Sequence, residues 1–268
     1  GCMYSLVAVS AHGQIMGHVA FKKAAPDSPI AEIGVLFVRP EFRQLNIARR
    51  LTVALIDRAR ALGLRALFTR TVVAHELSQR LAASLGFKDC GILLGTFPAD
   101  VEFKAITGVI RQKQSALIQW LALGTPRQRS VSISAPLLPK IEQLYRQLGL
   151  PVSFITETLV CPQEHSQFSI AQNTILDIAV IEVSVVGHNL CEEIRLQLRM
   201  LCLKQIPVIY LYLNIEQEST LHLQTELENI GFFFAGIIPD GMDGHDALIL
   251  QYLNNLLVDC DNIHLHSD

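Results

Sequence analysis

"VRPEFRQLNIARRL", residues 38–51, joins a strand-like run to a helix-like one, and the reading of its turn decides the fold. Upstream, "IAEIGVLFV" at 30–38 is rich in β-branched and aromatic residues and stops before Pro40. Downstream, Ile47, Leu51, Leu55 and Leu62 recur at helical spacing, with arginines between them, until Gly63 ends the run. A helix that starts straight out of a strand leaves its first amides free. Those amides and the helix dipole can hold a pyrophosphate. Glycine suits such a turn because it lets the backbone approach closely and adopt positive φ. Gln44 and Asn46 stand at the two positions where glycine is most wanted. Asn is the next residue tolerated in the left-handed region, so the stretch reads either as an altered anion cradle or as a plain helix start.

The surrounding pattern is mixed α/β. "YSLVAVS" and "QIMGHVAF" form a hairpin signal around "AHG"; after the helix come β-rich "RALFTRTVV", helical "HELSQRLAASLG", and strands "FKDCGILLG" and "VEFKAI". The second half repeats this order with strands at "SQFSIAQN" and "TILDIAVIEV", helix "LCEEIRLQLRMLCLK", strand "PVIYLYLNI", helix "TLHLQTELENIG", and strands "FFFAGII" and "DALILQYL". Two stretches match in detail. "IAEIGVLFV" pairs with "ILDIAVIEV" at 175–183, and "GFKDCGI" at 86–92 with "GFFFAGI" at 231–237, both 145 positions later. The expected organisation is a duplicated unit, with domains at 1–110 and 111–268 and the boundary near "TGVIRQKQ". Strand "SALIQWLAL" and helix "PLLPKIEQLYRQLGL" then open the second domain, and the first lacks their counterparts.

Composition narrows the function. Half of the 268 residues are apolar and 18% are charged, which excludes a disordered chain. The apolar runs are strand-length, too short to span a bilayer, and no signal peptide is evident. Six cysteines show no CxxC or CxxH spacing, so neither a metal site nor a disulfide scaffold is expected, and a reducing cytoplasm suits them. Residues 1–110 carry 13 Lys+Arg against 8 Asp+Glu, and the remainder 9 against 17. The basic half suits a small anionic ligand; without a Lys/Arg run interleaved with aromatics, nucleic acid is not expected.

The strand, the "VRPEFR…IARRL" run, the next strand, the helix ending in "SLGF" and the strands after it resemble the GNAT superfamily of N-acetyltransferases. The family signature (Gln/Arg)-x-x-Gly-x-(Gly/Ala) is matched here by Arg43 and Ala48 and missed at Asn46. The resemblance implies an α/β (α+β) fold of tandem units, each a mixed, mostly antiparallel sheet flanked by helices. It implies acetyl-CoA as acyl donor, bound by Leu36, Phe37 and Val38 along the pantetheine and by Arg43, Gln44, Leu45, Asn46, Ile47, Ala48 and Arg49 at the pyrophosphate. Glu32 is then the carboxylate placed to act as base. The family's usual tyrosine acid falls on Ala82. The acceptor is expected to be a small-molecule or peptide amine lying between the units.

The same offset puts His188, Asn189, Cys191 and Glu193 where Arg43, Gln44, Asn46 and Ala48 stand, and Asp177 where Glu32 stands. Glu192 and Glu193 stabilise a helix start and repel phosphate, so the second unit is expected to bind no coenzyme and to offer a protein-binding or structural face. The alternative for the whole chain is a pseudo-acetyltransferase that senses a ligand or docks a protein. His18 reads as a satisfied strand residue, and "HLHSD" at 264–268 as a frayed end. Oligomeric state is open.

Overall fold

The computed structural model describes residues 2–99, 112–157 and 163–266. The strands are β1 (Met3–Val9), β2 (Ile15–Lys22), β3 (Ile30–Val38), β4 (Ala66–Val72), β5 (Lys88–Phe97), β6 (Gln114–Ala122), β7 (Arg129–Ser132), β8 (Val152–Ile155), β9 (Gln167–Asn173), β10 (Ile178–Val185), β11 (Val208–Asn214), β12 (Phe233–Met242) and β13 (His245–Leu253). The helices are α1 (Ile47–Ala61), α2 (Leu77–Ser84), α3 (Leu138–Leu148), α4 (Leu190–Leu203) and α5 (Leu223–Ile230). Eleven strands share one sheet in the order β1-β2-β3-β4-β6-β5-β12-β13-β11-β10-β9, and β7 and β8 form a parallel pair beside it. Most neighbours are antiparallel; β3–β4 and β10–β11 are parallel. The expected mixed α/β, mostly antiparallel architecture is what the chain adopts.

Alternation along the strands sets what each face buries. In the first half, Val19, Phe21, Ala31, Ile33 and Leu67 point to one face and meet Leu51, Leu55 and Ala59 of α1 in a continuous core. The other face carries Lys22, Glu32, Phe68 and Arg70, which are partly open to solvent. The second half buries β10, β11, β12 and β13 with Ile141, Tyr145, Ile194 and Leu227 in a larger core.

β6 corrects the sequence reading of "SALIQWLAL" as the opening strand of the second unit's own sheet. Rather than opening the second unit, it inserts between β4 and β5, pairing with β4 from Ala66↔Ala122 to Val72↔Ala116 and with β5 at Gly91↔Ile118. Local patterning marked it as a strand, but the choice of neighbour is a long-range matter that periodicity does not carry. The strand expected at "VEFKAI" lies outside the described residues.

The two halves meet where β5 approaches β12 at Gly91↔Gly236. A Cβ on Gly91 would stand 2.5 Å from the Ala235 carbonyl oxygen, so only glycine permits the approach. Both glycines sit at a bulge, between Asp89 and Gly91 in one strand and between Phe234 and Gly236 in the other, and each faces an isoleucine, Ile118 or Ile249. The buried Gln251 amide ties the junction by donating to the Leu94 carbonyl at 2.5 Å and accepting from the Leu94 N–H at 3.0 Å.

The match of 30–38 with 175–183 does not hold as ladder register. Ile175 and Asp177 lie in the turn before β10, Asp177 at φ 53°, and Ile178 stands beside Val208 as Ile30 stands beside Ala66. Asp177 is therefore not the counterpart of Glu32.

Candidate functional site

The turn ahead of α1 keeps a glycine-like backbone without glycine. Pro40–Phe42 makes one 3-10 turn, Arg43 is extended, and Gln44 and Asn46 adopt φ 67° and 58° before the helix begins at Ile47. Each non-glycine residue in that region costs on the order of 1 kcal/mol and persists only where its surroundings demand it. Arg43, Gln44, Leu45, Asn46 and Arg49 are all exposed, Ala48 is half-buried, and Ile47 is buried into the core. No side chain caps the helix, and Arg50 is the first residue whose N–H returns to the turn, at 3.1 Å from the Asn46 carbonyl. The amides of Ile47, Ala48 and Arg49 thus stand at an uncapped helix start, where the dipole favours an anion. Arg49 donates to the Ser84 hydroxyl at 3.0 Å, which holds a guanidinium beside that start.

β3 and β4 supply the adjoining slot. They pair in parallel only at Ile30↔Ala66, Ala31↔Leu67 and Glu32↔Phe68, after which the ladder stops. Past that point Val35 takes φ 51°, and the β2–β3 register shifts between His18 and Ala20. Leu36 and Phe37 are exposed and Val38 is half-buried. His18 secures the distortion, its Nδ1 3.0 Å from the Val35 carbonyl oxygen and its ring stacked on Phe37 at 5.6 Å. Backbone groups of β3 unmatched by β4 are what an extended amide-bearing ligand can pair with.

At the closed end of the slot is a cavity of about 220 Å3, lined by Lys22, Lys23, Glu32, Phe68, Arg70 and, from the second half, Tyr212. Arg70 grips Glu32 with two bonds, Nε at 2.7 Å and Nη2 at 2.6 Å, both side chains partly exposed. Burial works against the Arg70 charge, but Glu32 more than offsets it and drives the guanidinium pKa further up. Burial pushes the Tyr212 phenol up to about 12, against the pull of Arg70. The phenol therefore keeps its proton near neutrality. Sequence reasoning missed Tyr212, although "YLY" shows that Tyr210 and Tyr212 share one strand face. Glu32 is where its strand position places it, but its oxygens are committed to Arg70, which was not foreseen.

The second half differs on every count. β10 and β11 stay paired through six positions, from Ile178↔Val208 to Val183↔Leu213, and leave no slot. α4 starts after Asn189, at φ −84° instead of the left-handed value at Asn46, so the equivalence of Asn189 with Gln44 gives way to one with Asn46, the residue before each helix. The Asn189 side chain accepts from the Ser166 N–H at 2.9 Å and hydroxyl at 2.8 Å, and the His188 N–H donates to the Gln163 carbonyl at 2.8 Å. The chain's own residues 163–166 thus pack against this helix start, and Glu192 and Glu193 occupy its first turn.

Sequence reasoning also missed a buried ion network between β7, β12 and β13. Arg129 reaches Asp240 at 2.9 Å and Asp246 at 3.0 Å, all three at most 2% exposed. Tyr145 donates to Asp246 at 2.5 Å, and Arg127 bridges Asp240 and Glu216. Burial raises the pKa of Asp246, opposed by Arg129 and the Tyr145 hydrogen bond. Among the described residues no cluster of three or more His, Cys, Asp or Glu could hold a metal, the described cysteines are free, and no helix is long and apolar enough to cross a membrane.

Comparison with known proteins bears on this geometry. Residues 2–87 match the model of the acetyltransferase (GNAT) family. The chain is similar to a ribosomal-protein-alanine N-acetyltransferase from Brucella melitensis at 23% identity, covering 45% of this chain and 68% of that one, with a TM-score of 0.36. It is similar to the ribosomal-protein-S18-alanine N-acetyltransferase from Escherichia coli at 17% identity, 47% and 72% coverage and a TM-score of 0.39. Mutant forms of a spermidine/spermine N-acetyltransferase from Vibrio cholerae give 17% identity, 46% and 68% coverage and a TM-score of 0.38. Comparison with curated proteins returns no match. Residues 2–87, the part of the chain that builds the uncapped helix start and the slot, are thus the part that carries the acetyltransferase (GNAT) match.

Proposed function

We propose that the first half binds acetyl-CoA and transfers its acetyl group to an amine, and that the chain is a duplicated GNAT-like unit whose second copy binds no coenzyme. One observation carries this reading: Gln44 and Asn46 hold the left-handed backbone that a phosphate-cradling turn needs, with both side chains turned to solvent. The pyrophosphate then lies on the amides of Ile47, Ala48 and Arg49, with Arg43 and Arg49 as counter-charges. The pantetheine runs along Leu36, Phe37 and Val38 in the slot. A small or peptidic amine enters the cleft between the halves, where Glu32 faces it. No nucleic acid or membrane is involved, and a cytoplasmic setting belongs to the proposal, as does a protein-binding role for the second half.

Calorimetric titration with acetyl-CoA tests the coenzyme site. Heat with a dissociation constant in the micromolar range is expected, and silence at high micromolar ligand overturns the proposal. Gln44→Gly and Asn46→Gly relieve two strained backbones and clear the approach. Together they should tighten binding about 3- to 10-fold, roughly 1 kcal/mol. Unchanged or weaker affinity means the ligand does not approach this backbone.

Glu32 acts on the amine as an anionic anchor, and as a base by way of water, because Arg70 holds both of its oxygens. Glu32→Gln should raise KM for a cationic amine about tenfold and lower the rate at every pH near neutrality. A variant with wild-type KM and kcat removes Glu32 from the site. The Glu32–Arg70 fork also favours a second reading, coenzyme binding without turnover. Tight acetyl-CoA binding with no free thiol released across a panel of amines would establish that reading.

A further inference from the structure

Residues 264–266 do not fray, and the last two residues of "HLHSD" lie outside the described residues. The His264 N–H donates to the Val73 carbonyl at 2.7 Å, the His264 carbonyl accepts from Gln79 Nε2 at 2.8 Å, and the His266 N–H donates to Gln79 Oε1 at 3.1 Å. The second half contains the same three bonds. The Ser132 N–H donates to the Ile215 carbonyl at 2.7 Å, the Ser132 carbonyl accepts from Gln224 Nε2 at 2.8 Å, and the Ser134 N–H donates to Gln224 Oε1 at 2.7 Å. Gln79 and Gln224 stand 145 positions apart, each is wholly buried, and each lies on the helix that follows the slot-side strand, α2 or α5. A buried amide satisfied at both ends by the backbone of one extended segment is a specific clamp, because an empty clamp leaves polar atoms without partners.

We infer that residues 259–266 are a latch: they serve the first half as the segment ending at Ser134 serves the second, so each half is closed by chain arriving from the other. The pairing of the two latches as counterparts rests on the duplication proposed above; the docking of 259–266 rests on the hydrogen bonds alone. The latch has further anchors. Gln112 grips Asp259 with its whole amide, accepting from the Asp259 N–H at 3.0 Å and donating to its carbonyl at 3.2 Å. The His266 ring lies 3.3 Å from the Asp89 carboxylate and 3.4 Å from Gln119 Nε2. His264 and Leu265 point outward, so at these two positions backbone rather than side chain makes the fit. The groove is thus an extended-peptide site whose resident is the chain's own C-terminal segment. It reaches the slot, since Gln79 Nε2 also bonds the carbonyl of Val72, the last residue of β4, at 3.0 Å.

The test uses the full chain and no coenzyme, so it stands or falls separately from the acetyl-transfer proposal. His264→Pro removes the N–H that meets Val73 while replacing an exposed side chain. Hydrogen exchange of the His266 amide should be slow in the intact chain and at least tenfold faster in His264→Pro. A fluorescein-labelled peptide of residues 258–268 should bind His264→Pro and bind the intact chain at least tenfold more weakly, its groove being filled. Binding as a monomer supports a latch acting in cis. Fast exchange at His266 in the intact chain, a concentration-dependent dimer that alone protects it, or no peptide binding by a folded His264→Pro chain overturns the inference.

Discussion

Asp246→Ala should destabilise the chain by about 3–5 kcal/mol, read as a shift in the urea midpoint at constant slope. Asp246 is fully buried, and it answers Arg129, which is 2% exposed, together with the Tyr145 hydroxyl and the Asp240 N–H. Without the carboxylate, the Arg129 charge keeps Asp240 but loses half its compensation, and the phenol loses its acceptor. The cost is that of stranded partners and not the net value of the ion pair. Replacing the pair by apolar residues, Arg129→Met with Asp246→Leu, should therefore recover a large part of the loss. A single variant within 1 kcal/mol of the parent means the network contributes nothing. Glu216, held below the usual carboxylate range because Arg127 and the Asp246 N–H outweigh its burial, adds a pH dependence. A depressed acid contributes stability above its unfolded pKa and loses it as pH falls through the folded value. Glu216→Gln should flatten the acid limb of stability and leave the neutral range unshifted in slope.

What could be read in the sequence was local. The strand of 30–38, the arginine-studded helix, and the two stretches 145 residues apart announce themselves through periodicity and repetition, and the turn at 43–48 lies where the motif places it. The missed features join residues far apart. β6 is a strand by its own pattern, yet that pattern cannot say it divides β4 from β5. Arg129 answers acids more than 110 positions away, and nothing near it in sequence predicts burial of a charge. Tyr212 reaches the cavity from β11, a strand that lies more than 130 positions after Arg70 in the sequence. Residues 264–266 read as frayed because their partners, the Val73 carbonyl and Gln79 among them, lie about 190 positions earlier. The mapping onto the second half slipped because one offset was carried through a turn that changes length, and ladder register tolerates no such slip.

At the proposed coenzyme site, Ala48→Glu should abolish acetyl-CoA binding while leaving the fold intact or slightly more stable. The substitution gives α1 what α4 already has in Glu192 and Glu193, a carboxylate in the first turn. For the helix alone this is favourable by about 0.3–1 kcal/mol, because the anion meets the positive end of the dipole. For a diphosphate on the same amides it is a like charge at contact distance, a repulsion of several kcal/mol. The affinity for acetyl-CoA should therefore fall at least 100-fold, roughly 2.7 kcal/mol, while the melting temperature holds or rises. Ala48 is half-buried at an uncapped helix start, so the longer side chain has solvent to reach into. The opposite signs make the experiment decisive. Loss of binding together with loss of stability shows only that the helix start was damaged. Binding that survives the charge shows that the phosphates do not lie on these amides. Binding lost from a chain that melts no lower leaves the difference between the halves as a matter of charge and access at one helix turn, reinforced by three ladder pairs on one side against six on the other.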